Sequence, residues 1–333
     1  MCKSLKIFVL KLSCLMAFFY LAIFNNAFAS NNQITIIPRY NMEIFNQKIT
    51  NIYTNPIAHS KDIKKRIKAD SQHFIYKSYL NGALGEGPKA LFDKSPLYRT
   101  DMFDCTTFAS TVLALVESNN LIEFKKNILK VRYKNNAALF INRNHFISVD
   151  WNINNEKQGF LKDINSKILD EKGNPIAVTA NAFIDKPNWY KHLRASTIKS
   201  FYAMPKEKVK ILYKALHDCS YKVKPQASKI LYLPFSKLFT NGAPNQQLFD
   251  QIPSATVIEI VRPNWNLKDI IGTNINISHM GFGIRIKGKL IFREASFVDK
   301  KVEDVDLEKY LAQYLNSSTI KGIRVEKIVL QHR

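Results

Sequence analysis

Asp104-Cys105-Thr106-Thr107-Phe108, continuing into Ala109-Ser110-Thr111-Val112-Leu113-Ala114-Leu115, constrains this chain more than any other stretch. Phe108, Val112, Leu115 and Val116 recur at helical spacing, so the segment predicts an amphipathic helix with one buried face. Asp101 or Asp104 can cap its start, and the threonines that follow suit a helix entrance. Cys105 then falls in the first turn, at the positive end of the helix dipole, where a thiolate is favoured and nucleophilic. The plain alternative is a structural cysteine packed as a small hydrophobe.

Residues 1–29 read as a secretory signal peptide. Lys3, Lys6 and Lys11 form a basic front, residues 12–24 are mostly apolar, and Ala27-Phe28-Ala29 offers a cleavage site before Ser30. The apolar run is short for a membrane span. An uncleaved anchor is the alternative; cleavage would leave no stable membrane anchor and a periplasmic or secreted protein. Loss of the leader removes three lysines and no acids from a chain of formal charge +22, so the remainder stays strongly basic. Such charge suits an anionic cell envelope. Lys and Arg are scattered, without an arginine-rich block or interleaved aromatics, so nucleic acid is not an expected partner. Of the four cysteines, Cys2 and Cys14 leave with the leader. Cys105 and Cys219 alone are no disulfide scaffold, although they could pair once.

The rest, roughly 300 residues, suits one large domain or two lobes. Residues 30–58 look like a lead-in, polar and strand-like in patches. Residues 59–80 read as a lysine-rich helix ending at Tyr79. Asn81-Gly82-Ala83-Leu84-Gly85-Glu86-Gly87-Pro88 is a loop by its glycines and proline. Residues 121–133 read as a helix ending in a strand, and residues 143–152 mix strand-like and polar residues. Residues 160–230 look like an inserted lobe punctuated by Pro175, Pro187, Pro205 and Pro225. Strands are expected at 256–261, at 277–286 and from 290. Helices first and sheet later argue an α+β fold.

Ser278-His279-Met280-Gly281-Phe282-Gly283-Ile284 places a histidine early in a strand. Ile277, His279, Gly281 and Gly283 share one face of a period-2 strand. The two glycines leave room for another backbone or a helix end. A strand histidine alone is commonly structural. Paired with the Cys105 helix it offers a base that takes the thiol proton, while the thiolate attacks a carbonyl.

Asp-Cys-Thr-Thr-Phe at 104–108, Ser-His-Met-Gly-Phe-Gly at 278–283 and Arg-Glu-Ala-Ser at 293–296 resemble the NlpC/P60 cysteine peptidases. More closely they resemble the N-acetylmuramoyl-L-alanine amidase-like branch, DUF1460. Tyr79-Leu80-Asn81-Gly82-Ala83-Leu84, Arg143-Asn144-His145-Phe146 and Asp150-Trp151-Asn152 are similar to that branch too. The resemblance runs in order from about residue 60 to 330 and implies a papain-like fold within residues 59–333, its catalytic helix packed on an antiparallel sheet. It implies Cys105 as nucleophile, His279 as base, Glu294 as the group orienting the base, and Tyr79 as an oxyanion donor. The family often has histidine where this chain has Glu294; a carboxylate can accept the imidazole N–H and stabilise imidazolium.

Register bears on Glu294. A two-residue turn at Gly288-Lys289 would put Glu294 on the His279 face, whereas a three-residue turn through 287–289 would put Arg293 there. In either case Glu294 lies several residues along from the point opposite His279, unless a bulge intervenes, and a surface glutamate is the alternative. Arg143, His145 and Trp151 are candidates to line a substrate cleft, through carboxylate pairing and sugar stacking, or else to form a structural corner. The expected substrate is peptidoglycan or a muropeptide, cut at the N-acetylmuramoyl-L-alanine amide through a Cys105 thioester. A stem-peptide endopeptidase cutting between D-glutamate and a diamino acid is one alternative; a non-catalytic wall-binding module is another. No cofactor or metal is expected: there is no HExxH motif, and the seven histidines lack metal-ligand spacing.

Overall fold

The computed structural model describes residues 33–331; the leader read at 1–29 lies outside the described residues. Helices dominate the first half: α1 (Met42–Tyr53), α2 (Ile63–Gln72), α3 (Cys105–Val116) and α4 (Leu121–Arg132). Each begins at a residue whose side-chain oxygen accepts a first-turn N–H: Asn41, Asp62, Asp104 and Asn120.

Three stretches depart from the sequence reading. Residues 42–53 form α1 instead of strand-like patches, because Phe45, Ile49, Ile52 and Tyr53 recur at helical spacing and bury in the main core. The helix expected to run to Tyr79 stops at Gln72; Tyr76 turns the chain at φ 66°, and Ser78–Tyr79 is a short strand. The stretch at 143–152 is not a strand. A single π-helical turn, Ile147–Trp151, leads into α5 (Asn152–Lys157).

Ten strands form one mixed sheet. They are β1 (Ser78–Tyr79), β2 (Met102–Phe103), β3 (Leu161–Asp163), β4 (Val178–Ile184) and β5 (Gln226–Pro234). From the last third come β6 (Thr256–Leu267), β7 (Thr273–Ile286), β8 (Lys289–Ser296), β9 (Lys301–Asp306) and β10 (Gly322–Ile328). Their order is β2-β1-β9-β8-β7-β6-β10-β5-β4, with β3 against β10. The β1–β2 pair is parallel and its neighbours are antiparallel. Helices concentrated in the first half and the long strands in the second make an α+β architecture.

The pleat sends alternate residues to two cores. Met280, Phe282 and Ile284 of β7 pack with Phe108, Val112 and other α3 residues on one face. Ile258, Ile260 and Phe292 belong to the second core, which α8 (Leu307–Ala312) covers with Leu307 and Leu311. Residues 160–230 supply β3, β4 and most of β5 to the common sheet. Tyr190, Leu212 and Leu216 from the same stretch build a smaller core with Phe92 and Phe140.

Candidate active site

Asp104 builds the helix entrance from both sides. Its Oδ1 accepts the Thr107 N–H at 2.7 Å, while Thr107 Oγ1 accepts the Asp104 N–H at 2.9 Å. Its Oδ2 accepts the Gly82 N–H at 2.8 Å, which ties the glycine loop to the helix start. Asp101 is not the cap; it forms a double hydrogen bond with Arg99. Cys105 follows as a free, half-buried thiol, while Cys219 is free and buried.

His279 approaches from β7, paired with Ile260 of β6. The turn from β7 to β8 is Lys287-Gly288, with φ of 50° and 84°, so the ladder closes on Ile286 and Lys289. Positive φ at both turn positions matches the twist of a two-residue hairpin. This turn lies one residue earlier than Gly288-Lys289 and slides the pairing by two residues. Glu294 therefore faces Gly281, one diagonal step from His279. Its Oε2 hydrogen-bonds His279 Nε2, and Glu294 is buried. Arg293 points to the opposite face, where it is fully buried against Asp304, Ser71 and Gln72.

The histidine is held protonated. Burial opposes its charge, but the Glu294 carboxylate and the hydrogen bonds to Cys105 and Glu294 outweigh burial and push its pKa up to about 10. The thiol of Cys105 and the carboxylate of Glu294 thus meet at one imidazole. Tyr79 stands beside them: burial first, then the proximity of Cys105, Asp104 and Glu294, pushes its hydroxyl pKa well above the usual phenol range. It stays a neutral O–H donor, its ring edge-on to Phe297 at 5.5 Å.

The two glycines after His279 do not admit the helix end. A Cβ on Gly281 would meet the Phe292 ring at 2.7 Å, and one on Gly283 would meet Thr256 Oγ1 at 2.5 Å. The space at Gly281 goes to the neighbouring backbone, the Arg293 carbonyl oxygen at 2.6 Å, and to Phe292, whose ring lies edge-on to the imidazole at 5.8 Å.

A family model described as AmiA-like, N-acetylmuramoyl-L-alanine amidase-like, matches residues 69–320, which include Tyr79, Cys105, His279 and Glu294. The chain belongs to this amidase-like family. A crystal structure of a Legionella pneumophila str. Philadelphia 1 protein of family DUF1460 is 42% identical, covering 86% of this chain and 95% of that one, with TM-score 0.83. An N-acetylmuramoyl-L-alanine amidase from Bacteroides uniformis is 22% identical over 80% of this chain and 98% of its own, with TM-score 0.54. That second likeness speaks to fold alone. A search of curated proteins returned no match.

Three residues expected at the cleft of this amidase-like protein brace it elsewhere. Trp151 is 1% exposed and donates to Ser110 Oγ at 3.0 Å, on the buried body of α3, so it offers no face to a sugar. Arg143 is held by Glu86 and, at 3.1 Å, by Asp93, which anchors the loop after Tyr79. His145 sits between Phe140 and Trp189, with Nε2 at 2.8 Å from the Phe140 carbonyl oxygen. Burial and the Arg143 charge push its pKa down to about 3, so it is a neutral core residue. Dense polar residues are as compatible with a buried hydrogen-bond network as with a cleft, and sequence does not separate the two.

Tyr310 and Tyr314 were not singled out from sequence. Burial first, and then the Glu294 carboxylate, raises the pKa of both hydroxyls, and Cys105 adds to the effect on Tyr310. They are hydrogen-bonded to each other, and Tyr310 packs on Phe292 at 5.1 Å. They lie about thirty positions beyond His279, without a local motif to mark them.

Proposed function

We propose that this protein is a cysteine amidase of the NlpC/P60 superfamily with a papain-like catalytic arrangement. In this reading it hydrolyses the N-acetylmuramoyl-L-alanine bond of peptidoglycan or its fragments. The observation that carries the reading is His279, bound at once to Cys105 and Glu294 in a member of an amidase-like family. The name of the Bacteroides uniformis neighbour agrees with it.

With Nε2 engaged by Glu294, Nδ1 is the nitrogen left for sulfur. The proton that His279 holds is the one the thiol gives up, and Cys105 sulfur attacks the lactyl carbonyl carbon of the muramoyl group. Negative charge gathers on the carbonyl oxygen, to which the Tyr79 hydroxyl and a free N–H of the α3 first turn would donate. The carbon–nitrogen bond breaks as imidazolium protonates the alanine nitrogen. Water, deprotonated by His279, then cleaves the thioester and restores the thiol. Glu294 holds the ring in place and steadies its positive charge.

The leader supports a further part of the proposal, that the chain acts after export, in the periplasm or outside the cell. Digestion of purified muropeptides followed by mass spectrometry tests the activity. A free peptide with N-terminal alanine and a peptide-free sugar is the expected pair. A cut after D-glutamate would replace the amidase with an endopeptidase. Intact muropeptide would leave a binding module.

A further inference from the structure

Beside the base, strand β6 breaks its own ladder. Ile260 pairs with His279, but Val261 pairs with Ile277, so Ser278 bulges out. The next pair is Trp265 with Ile275, so residues 262–264 stand against Asn276 alone. Asn264 takes φ 49° there, and its N–H donates to Asn276 Oδ1 at 2.9 Å. Bulges of this kind re-aim side chains and recur next to active sites.

The side chains re-aimed here are a cation and an indole. Arg262 donates from Nε to Ser278 Oγ at 3.2 Å and from Nη1 to Thr319 Oγ1 at 2.7 Å. Its guanidinium carbon stands 4.0 Å from the centre of the Trp265 ring. Ser278 is the residue before His279. Tyr314 and Tyr310 lie close enough to Arg262 to favour its charge, and both feel the Glu294 carboxylate. Arg262, Trp265, Ser278, Tyr310 and Thr319 are all partly exposed. Burial pulls the Arg262 pKa down to about 10, and the nearby tyrosines offset only part of that cost.

We propose that Arg262, stacked on Trp265 and steadied by Ser278 and Thr319, is a specificity residue that binds a carboxylate on the peptide side of the substrate. The inference rests on the amidase reading. In a muropeptide the lactyl carboxyl of muramic acid is consumed in the scissile amide, so free carboxylates belong to the peptide. The one nearest the cut is the α-carboxylate of the γ-linked glutamate that follows alanine. A fixed guanidinium matches a carboxylate with paired N–H donors, which a lysine does not reproduce.

The test compares two muramyl dipeptides, one ending in D-glutamate and one in its α-amide, D-isoglutamine, which differ in a single charge. Wild-type protein should favour the acid by about tenfold or more in kcat/KM, the worth of one charge-assisted hydrogen bond. Arg262→Gln should bring the ratio near one, chiefly through KM on the acid, and Arg262→Lys should fall between. An unchanged ratio in Arg262→Gln overturns the proposal and leaves Arg262 as a strut. Calorimetry on Cys105→Ala, alone and with Arg262→Gln or Arg262→Lys, reads the same preference without turnover. If wild type cleaves neither dipeptide, the amidase reading fails separately. Binding that favours the acid only when Arg262 is present would still uphold this subsite, and equal binding of both ligands would overturn it. Circular dichroism confirms folding, and the lysine variant serves if glutamine unfolds the chain.

Discussion

The carboxylate of Glu294 reaches His279 diagonally, past the strand position that Gly281 occupies. Direct opposition would have placed the two side chains side by side across the ladder. The diagonal instead aims the carboxylate along β7, toward the far edge of the ring, and leaves the other nitrogen for Cys105. Gly281 has no side chain in the way, and Phe292 fills the space above it.

Glu294→Gln should keep this geometry and lose the charge. Turnover on a muramyl peptide should fall by roughly ten- to a thousandfold, since the amide cannot stabilise imidazolium. The pH profile carries a sign. Glu294 is the main group raising the His279 pKa to about 10, so its loss lets the ring deprotonate at lower pH. The alkaline limb of kcat/KM should move down. Glu294→His should retain activity, being the family's common residue by resemblance. Equal rates in wild type and both variants would remove Glu294 from the mechanism.

Cys105→Ala should abolish hydrolysis, by at least about a thousandfold, with the melting temperature near that of wild type. The thiol is half-buried at the helix entrance, where the Asp104–Thr107 capping pair holds the first turn without it. Cys219→Ser should be close to silent in activity, because Cys219 packs in the small core of α6 (Lys186–His192) and α7 (Lys206–Asp218). Mass-spectrometric assays of both variants decide. Full turnover by the alanine variant would end the thioester mechanism.

What the sequence revealed of the fold and site follows the range of the forces involved. The start of α3 was legible because capping and helical periodicity act within a few residues, and Asp104 satisfies both. The strand around His279 was legible from its alternation. The partnership of Glu294 was not, because it hangs on whether the hairpin turns at Lys287-Gly288 or one residue later. Arg262, Tyr310 and Tyr314 were hidden for a different reason: a bulge and a helix returning from afar bring them to the histidine. Trp151, Arg143 and His145 misled because polar and aromatic residues in one stretch look alike whether they face a ligand or each other.

Gly281→Ala tests the packing behind the base. A methyl there would stand 2.6 Å from the Arg293 carbonyl oxygen and 2.7 Å from the Phe292 ring, both closer than real contacts allow. Backbone cannot yield cheaply, so Phe292 must shift, and with it the ring wall of His279. Overpacking of this kind costs about 1–3 kcal/mol. Thermal melting should show that loss, and kcat should drop more than KM rises. Normal turnover at full stability would show that the contact relaxes without touching the site.

A last prediction concerns a buried acidic cluster away from the thiol. Arg324 on β10 is paired with Glu326, with Glu156 at 2.9 Å and with Asp163 at 2.8 Å, and Glu259 stands nearby at 3.8 Å. Glu259 and Glu326 are fully buried, while Glu156 and Asp163 are partly exposed, and one guanidinium cannot balance all four. Burial first, then the carboxylates around it, pushes the Glu326 pKa to about 9, against the pull of Arg324. The folded chain therefore keeps a proton that the unfolded chain releases near its ordinary value of 4.5. Stability from this group is full below that value and is lost as pH rises through about 9. Glu326→Gln imitates the protonated acid and cannot ionise, so its melting temperature should fall less than that of wild type between pH 6 and 9 (about the window this shift opens). Differential scanning calorimetry at several pH values reads the two curves. Parallel curves would mean that Glu326 titrates normally and that Arg324 already neutralises the cluster.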